Sequence, residues 1–149
     1  MLLAIRAFGR MLLIQSGGSQ AADRLEWEMN AVTMLQTASI LLLLTAAGGL
    51  LMAFRRLVQK VNPPSWLAMA HGFLAASGLT LLAYAGVTDR IDGGALVGTV
   101  LLAVAAVGGV VMNLGYHLAG KLLPAGLLYL HIALAAVGTL LVAWCAWAP

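Results

Sequence analysis

Charge is scarce in this chain, and carboxylates are scarcest of all. Only 9% of its 149 residues are Asp, Glu, Lys or Arg, with five acids among them, against roughly a quarter charged in soluble domains. One cysteine, Cys145, excludes an intrachain disulfide and a cysteine-ligated iron–sulfur cluster. The four prolines all lie outside the interiors of the apolar runs. No glycine loop of the phosphate-binding or dinucleotide-binding type, no metalloprotease helix motif and no base-reading motif is present. No nucleophile has an obvious base partner. Soluble-type catalysis and nucleic-acid binding are therefore set aside, and the net charge of +3 reads as a topology signal or an attraction to anionic lipid.

What the chain has is apolar length. Hydrophobic residues make up 62% of it, and a bilayer core about 30 Å thick needs about 20 apolar residues per spanning helix. Residues 31–54, 64–87, 94–116 and 124–147 meet that length without one Asp, Glu, Lys or Arg. Continuous apolarity, lacking period-two alternation, argues against a β-barrel. The connections are short: Arg55, Arg56 and Lys60 precede Pro63-Pro64, Asp89 to Gly94 follow the second run, and Gly120-Lys121 follow the third. Short loops make neighbouring helices antiparallel. The expected fold is thus all-α, an integral membrane four-helix bundle running up-down-up-down over residues 31–149. Trp66, Tyr116 and Tyr129 at one set of ends and Trp27, Tyr84, Trp144 and Trp147 at the other suit interfacial aromatic belts.

Residues 1–30 read as a separate segment. Arg6 and Arg10 share a helical face, with Leu2, Ile5, Phe8, Leu12 and Leu13 over the rest, as in an amphipathic helix lying on the membrane surface. The arginines interrupt the apolar run, and no clear cleavage pattern follows, which disfavours a signal peptide. Ser16-Gly17-Gly18-Ser19 is a flexible connector. Arg55, Arg56, Lys60 and Lys121 lie within a few residues of span ends, where the positive-inside rule has most force, so the loops at 55–63 and 117–123 are placed in the cytoplasm, with a bacterial inner membrane as the expected location.

The chain also aligns with itself, without a gap, at an offset of 60 residues. Pro64, Leu67, His71, Leu74-Ala75-Ala76, Gly78, Leu81, Ala83 and Tyr84 recur as Pro124, Leu127, His131, Leu134-Ala135-Ala136, Gly138, Leu141, Ala143 and Trp144. The preceding runs match through Gly48-Gly49 and Met52 against Gly108-Gly109 and Met112. Two tandem two-helix repeats follow, related by a pseudo-twofold axis along the membrane normal. That symmetry brings His71 and His131 to one depth, about 10 Å below the span end at about 1.5 Å per residue. Second and fourth helices are diagonal in a sequentially wound bundle, so both imidazoles can face its axis.

Two neutral imidazoles opposed across a bundle form the axial ligand set of one b-type haem. Ala75 and Gly78, with Ala135 and Gly138, share faces with the histidines and are expected to leave room for a macrocycle. Gly48, Gly49, Gly108 and Gly109 are expected where a ring edge approaches backbone. Arg55 and Arg56, with Lys60 or Lys121, are candidates to pair with propionates. With these features the chain resembles the small four-helix b-type cytochromes, such as the cytochrome b561 group and the membrane anchors of succinate dehydrogenase. The likeness rests on helix number and on His71 and His131. It implies a non-catalytic electron-transfer subunit of an oxidoreductase complex, exchanging electrons with quinone or a partner redox protein. Three histidines limit one chain to one bis-histidine haem. His117 lies outside the repeat, opposite Leu57, and reads as an interfacial histidine or a group for propionate contact or quinone protonation.

Other readings fit the same residues. The histidines of a cofactor-free structural subunit would bond neighbouring helices, with small residues allowing close packing. Copper would draw on Met52 and Met112 beside the imidazoles. A transporter is encouraged by the repeat but lacks an intramembrane carboxylate or a proline-broken span.

Overall fold

The computed structural model describes residues 31–88 and 91–148, and every described regular element is helical. The amphipathic segment expected over residues 1–30, with Trp27, Asp89 and Arg90, lies outside the described residues. Helix α1 covers Ala31–Leu57, α2 Ser65–Thr88 and α3 Gly93–Met112. The third helix then continues as a π-helical turn, Asn113–His117, and α4 covers Ala125–Trp147. All four are long and apolar enough to cross a membrane. Large apolar side chains cover their outer surfaces, among them Leu44, Leu50, Phe73, Val107 and Leu140. So large an exposed apolar surface fits lipid as its surroundings.

Helix ends follow local chemistry. Pro64 and Pro124 lack the N–H that a first helical turn leaves unpaired, while their carbonyls accept from Ala68 and Leu128. Gly120 adopts a left-handed φ of 67°, and Lys60, 60 positions earlier, adopts 61°. The first helix runs three residues past the expected boundary at 54, because Arg55 and Arg56 extend it into the interface with their long stems.

The helices associate through small residues. A Cβ placed on Gly98 would lie 2.9 Å from the carbonyl oxygen of Gly138, and one on Gly138 would lie 2.9 Å from that of Gly98. Helices α3 and α4 thus meet backbone to backbone, the usual route to close packing where lipid removes the hydrophobic drive. Between α1 and α2 the same positions pair Ala38 with Gly78, whose Cβ would meet Leu42 at 3.1 Å. Helix α1 also reaches α4: the indole N–H of Trp147 donates to Ser39 Oγ at 2.9 Å, and Gln36 donates to the carbonyl of Ala146 at 3.3 Å.

Among the described residues, buried apolar side chains form two clusters. One joins Leu35, Ala38, Leu42, Leu82, Ala95, Leu102, Val142 and Ala146, drawn from all four helices. The other joins Met112, Leu123 and Leu128 near the loops that precede α2 and α4. His71 and His131 occupy the layer between them, where Leu74, Ala75, Leu134 and Ala135 are only half-buried.

Candidate functional site

Both histidines are held by the helix preceding their own. His71 Nδ1 bonds the carbonyl oxygen of Thr45 at 3.0 Å, and His131 Nδ1 bonds that of Ala105 at 2.8 Å, each acceptor lying 26 residues earlier. A carbonyl oxygen only accepts, so each Nδ1 carries the proton and donates it. In a neutral imidazole the lone pair is then left on Nε2. Donation from the second nitrogen to a carbonyl is how proteins fix tautomer and ring orientation in metal-ligating histidines.

Glycine makes the seat for each ring. A Cβ on Gly49 would lie 3.1 Å from Cε1 of His71, and a Cβ on Gly109 would lie 3.3 Å from Cε1 of His131. Gly108 also flanks His131, with 3.9 Å to Nδ1, whereas Gly48 faces open space. Gly49 and Gly109 therefore receive the imidazoles themselves. The two rings approach each other with centroids 6.4 Å apart and planes inclined at 56°. A cleft of about 210 Å³ opens beside His131 between α3 and α4, lined by Val104, Gly108, Leu127, Leu130 and Leu134 among others.

The remaining candidates divide between site and scaffold. Ala75 and Ala135 stay in the histidine layer and are half-buried. Gly78 and Gly138 do not leave open room there, because Leu42 and Leu102 fill the space their missing side chains create. Met112 is packed with Leu123 and Leu128, and Met52 is half-buried. Among the described residues no three His, Cys, Asp or Glu side chains gather around a point.

At the end carrying the loops, Arg56 Nε donates to the carbonyl of Leu123 at 2.6 Å and ties α1 to the start of α4. Arg55 Nε is buried without a hydrogen-bond partner. Nε2 of His117 lies 3.2 Å from Ser65 Oγ, while its Nδ1 is buried and unpaired. The sequence reading gave His117 no fixed partner. The π-helical turn that brings it to Ser65 has no period-based signal, although Asn113 and Gly115 mark where the halves diverge from Ala53 and Arg55.

Compared with protein-family models, with curated proteins and with solved structures, the chain matches none.

Proposed function

We propose that this chain is a membrane electron-transfer subunit holding one b-type haem between His71 and His131. The observation that carries the reading is the spacing of the rings. A metal-bound imidazole nitrogen lies about 2.0–2.1 Å from the metal and its ring centre about 1.2 Å beyond, so two histidines that would hold one metal between them would need centres roughly 6–6.5 Å apart. The imidazole centroids are 6.4 Å apart. The donor chemistry fits as well, since both Nδ1–H groups are engaged by Thr45 and Ala105 and both Nε2 lone pairs remain for a metal.

When bound, such a haem supplies a low-spin centre that passes single electrons. Thr45 and Ala105 hold the rings and fix their orientation through hydrogen bonds, while Gly49 and Gly109 admit them against the helix backbone. Arg55 lies six residues beyond Gly49, about 9 Å along the helix, and would be the residue to pair with a propionate carboxylate. Arg56 is engaged by Leu123 and contributes positive charge rather than a free fork. The same reading takes the chain as two tandem two-helix repeats wound up-down-up-down. In its support, the contacts Thr45 to His71 and Ala105 to His131, and those of Gly78 and Gly138, recur at an offset of 60 residues. Quinone or a partner redox subunit in a bacterial inner membrane would exchange the electrons, with residues 55–63 and 117–123 cytoplasmic.

One observation favours the cofactor-free structural subunit. The two imidazoles bond α1 to α2 and α3 to α4, which is useful to a bundle with no prosthetic group. The deciding experiment is an oxidised and dithionite-reduced visible spectrum of protein purified in detergent from its native membrane, repeated with His71→Ala and His131→Ala. A sharp reduced α band that both substitutions abolish is expected. Absence of Soret absorbance from the native-source protein would overturn the haem reading.

A further inference from the structure

The loops before α2 and α4 are clasped to each other. Asn62 Nδ2 donates to the carbonyl of Lys121 at 2.7 Å, and the backbone N–H of Leu123 donates to Asn62 Oδ1 at 3.2 Å. Ser65 and His117 join the same end at 3.2 Å. The backbones that carry Lys60 and Lys121 are thereby brought to one surface, with both lysines exposed and Arg55 and His117 half-buried. No carboxylate side chain balances them among the described residues: the only described acid, Asp92, lies at the other end of the bundle beside Cys145.

Two features mark this rim as more than a solvated charge cluster. Arg55 Nε and His117 Nδ1 are both buried without hydrogen-bond partners, and buried polar nitrogens normally have them. Lys60, moreover, holds a left-handed φ of 61° where the equivalent loop position carries Gly120 at 67°. Glycine takes that conformation freely and lysine does not. A strained non-glycine residue is the kind of outlier from which function is inferred, and what lysine adds here is an ammonium at the membrane surface.

We propose that Lys60 and Lys121, brought to one surface by Asn62, bind the headgroup phosphate of an anionic phospholipid. The chemistry is that of basic pockets at the ends of membrane helices, which recognise lipid phosphates by charge and multiple donors. The site is separate from the histidine layer and does not depend on haem.

The test uses the full chain in detergent, with thermal unfolding and native mass spectrometry measured after adding phosphatidylglycerol, phosphatidylcholine or inorganic phosphate. Phosphatidylglycerol is expected to be retained and to raise the melting temperature more than phosphatidylcholine, with the difference reduced in high salt. Lys60→Gly separates folding from binding, because it relieves the backbone while removing the charge. It is expected to unfold no earlier than the parent chain without lipid, yet to lower phosphatidylglycerol affinity by about fivefold, and Lys121→Gln by about the same factor. Equal effects of the two lipids, or an undiminished phosphatidylglycerol effect in Lys60→Gly, would overturn the proposal. Inorganic phosphate reproducing the whole effect would overturn the lipid assignment. Because none of these readouts uses a spectrum of bound haem, failure here and failure of the electron-transfer reading are distinguishable.

Discussion

Gly49 and His71 are matched to each other: a Cβ on the glycine would lie 3.1 Å from Cε1 of the imidazole, a distance that forces the ring to move. Helix propensity alone would favour alanine by about 1 kcal/mol. Gly49→Ala is therefore expected to displace His71 from the Thr45 carbonyl and to weaken retention of any ligand on Nε2. Gly109→Ala, at 3.3 Å, should do so less. Gly48→Ala meets nothing within 4 Å and serves as the control. Measuring cofactor content beside thermal stability checks the ranking, and equal retention in all three variants would contradict the seat.

Gly98 has no comparable freedom, because its neighbour is the carbonyl oxygen of Gly138, at 2.9 Å from a Cβ built on it. Backbone cannot rotate aside as a side chain can. Gly98→Ala is expected to push α3 from α4 and destabilise the bundle by about 1–3 kcal/mol, the usual range for overpacking. Gly78→Ala should cost less, since the flexible Leu42 side chain is what it meets first. Unfolding of both variants in mixed micelles under added denaturing detergent measures the difference.

How much of this was legible in the sequence depends on the kind of interaction. Four apolar runs without charge are a length argument, and the helices Ala31–Leu57, Ser65–Thr88, Gly93–His117 and Ala125–Trp147 differ from the expected bounds by no more than three residues. The meeting of His71 with His131 was anticipated from their spacing in the repeat, and the rings are 6.4 Å apart. The acceptors Thr45 and Ala105 were invisible, because any residue offers a backbone carbonyl. Glycine roles were also ambiguous: Gly49 and Gly78 both lack a side chain, and only the packing shows that one receives an imidazole and the other a leucine. The Asn62 clasp has no equivalent 60 residues later, where Leu122 stands, so the self-alignment gave no reason to look there.

Asn62 makes both a donor and an acceptor contact with the opposite loop, to Lys121 and Leu123. Asn62→Ala loses both, at about 0.5–1.5 kcal/mol for each hydrogen bond. Asn62→Asp keeps the acceptor for Leu123 but sets a carboxylate against the Lys121 carbonyl. Both variants should lower stability, and hydrogen exchange at the Leu123 amide should quicken in Asn62→Ala more than in Asn62→Asp. An unchanged exchange rate in both would show that the clasp does not persist in solution.

Replacing His71 with asparagine separates the two readings of the histidine pair more cleanly than alanine does. The amide nitrogen of asparagine falls near the position of Nδ1, so it can still donate to the carbonyl of Thr45, while nothing replaces Nε2. If the imidazole serves only to tie α2 to α1, His71→Asn should retain most of the stability that His71→Ala loses, a difference of about 1 kcal/mol. If Nε2 is a metal ligand, asparagine should fail as completely as alanine, and the loss should include the stabilisation that a bound ligand confers on the folded state. His131→Asn makes the same comparison at Ala105, where the bond is 2.8 Å. Unfolding curves for the four variants, with haem content measured on the same samples, decide the matter. Asparagine variants that match the parent chain in stability, from a parent that carries no haem, would assign both histidines to helix packing alone.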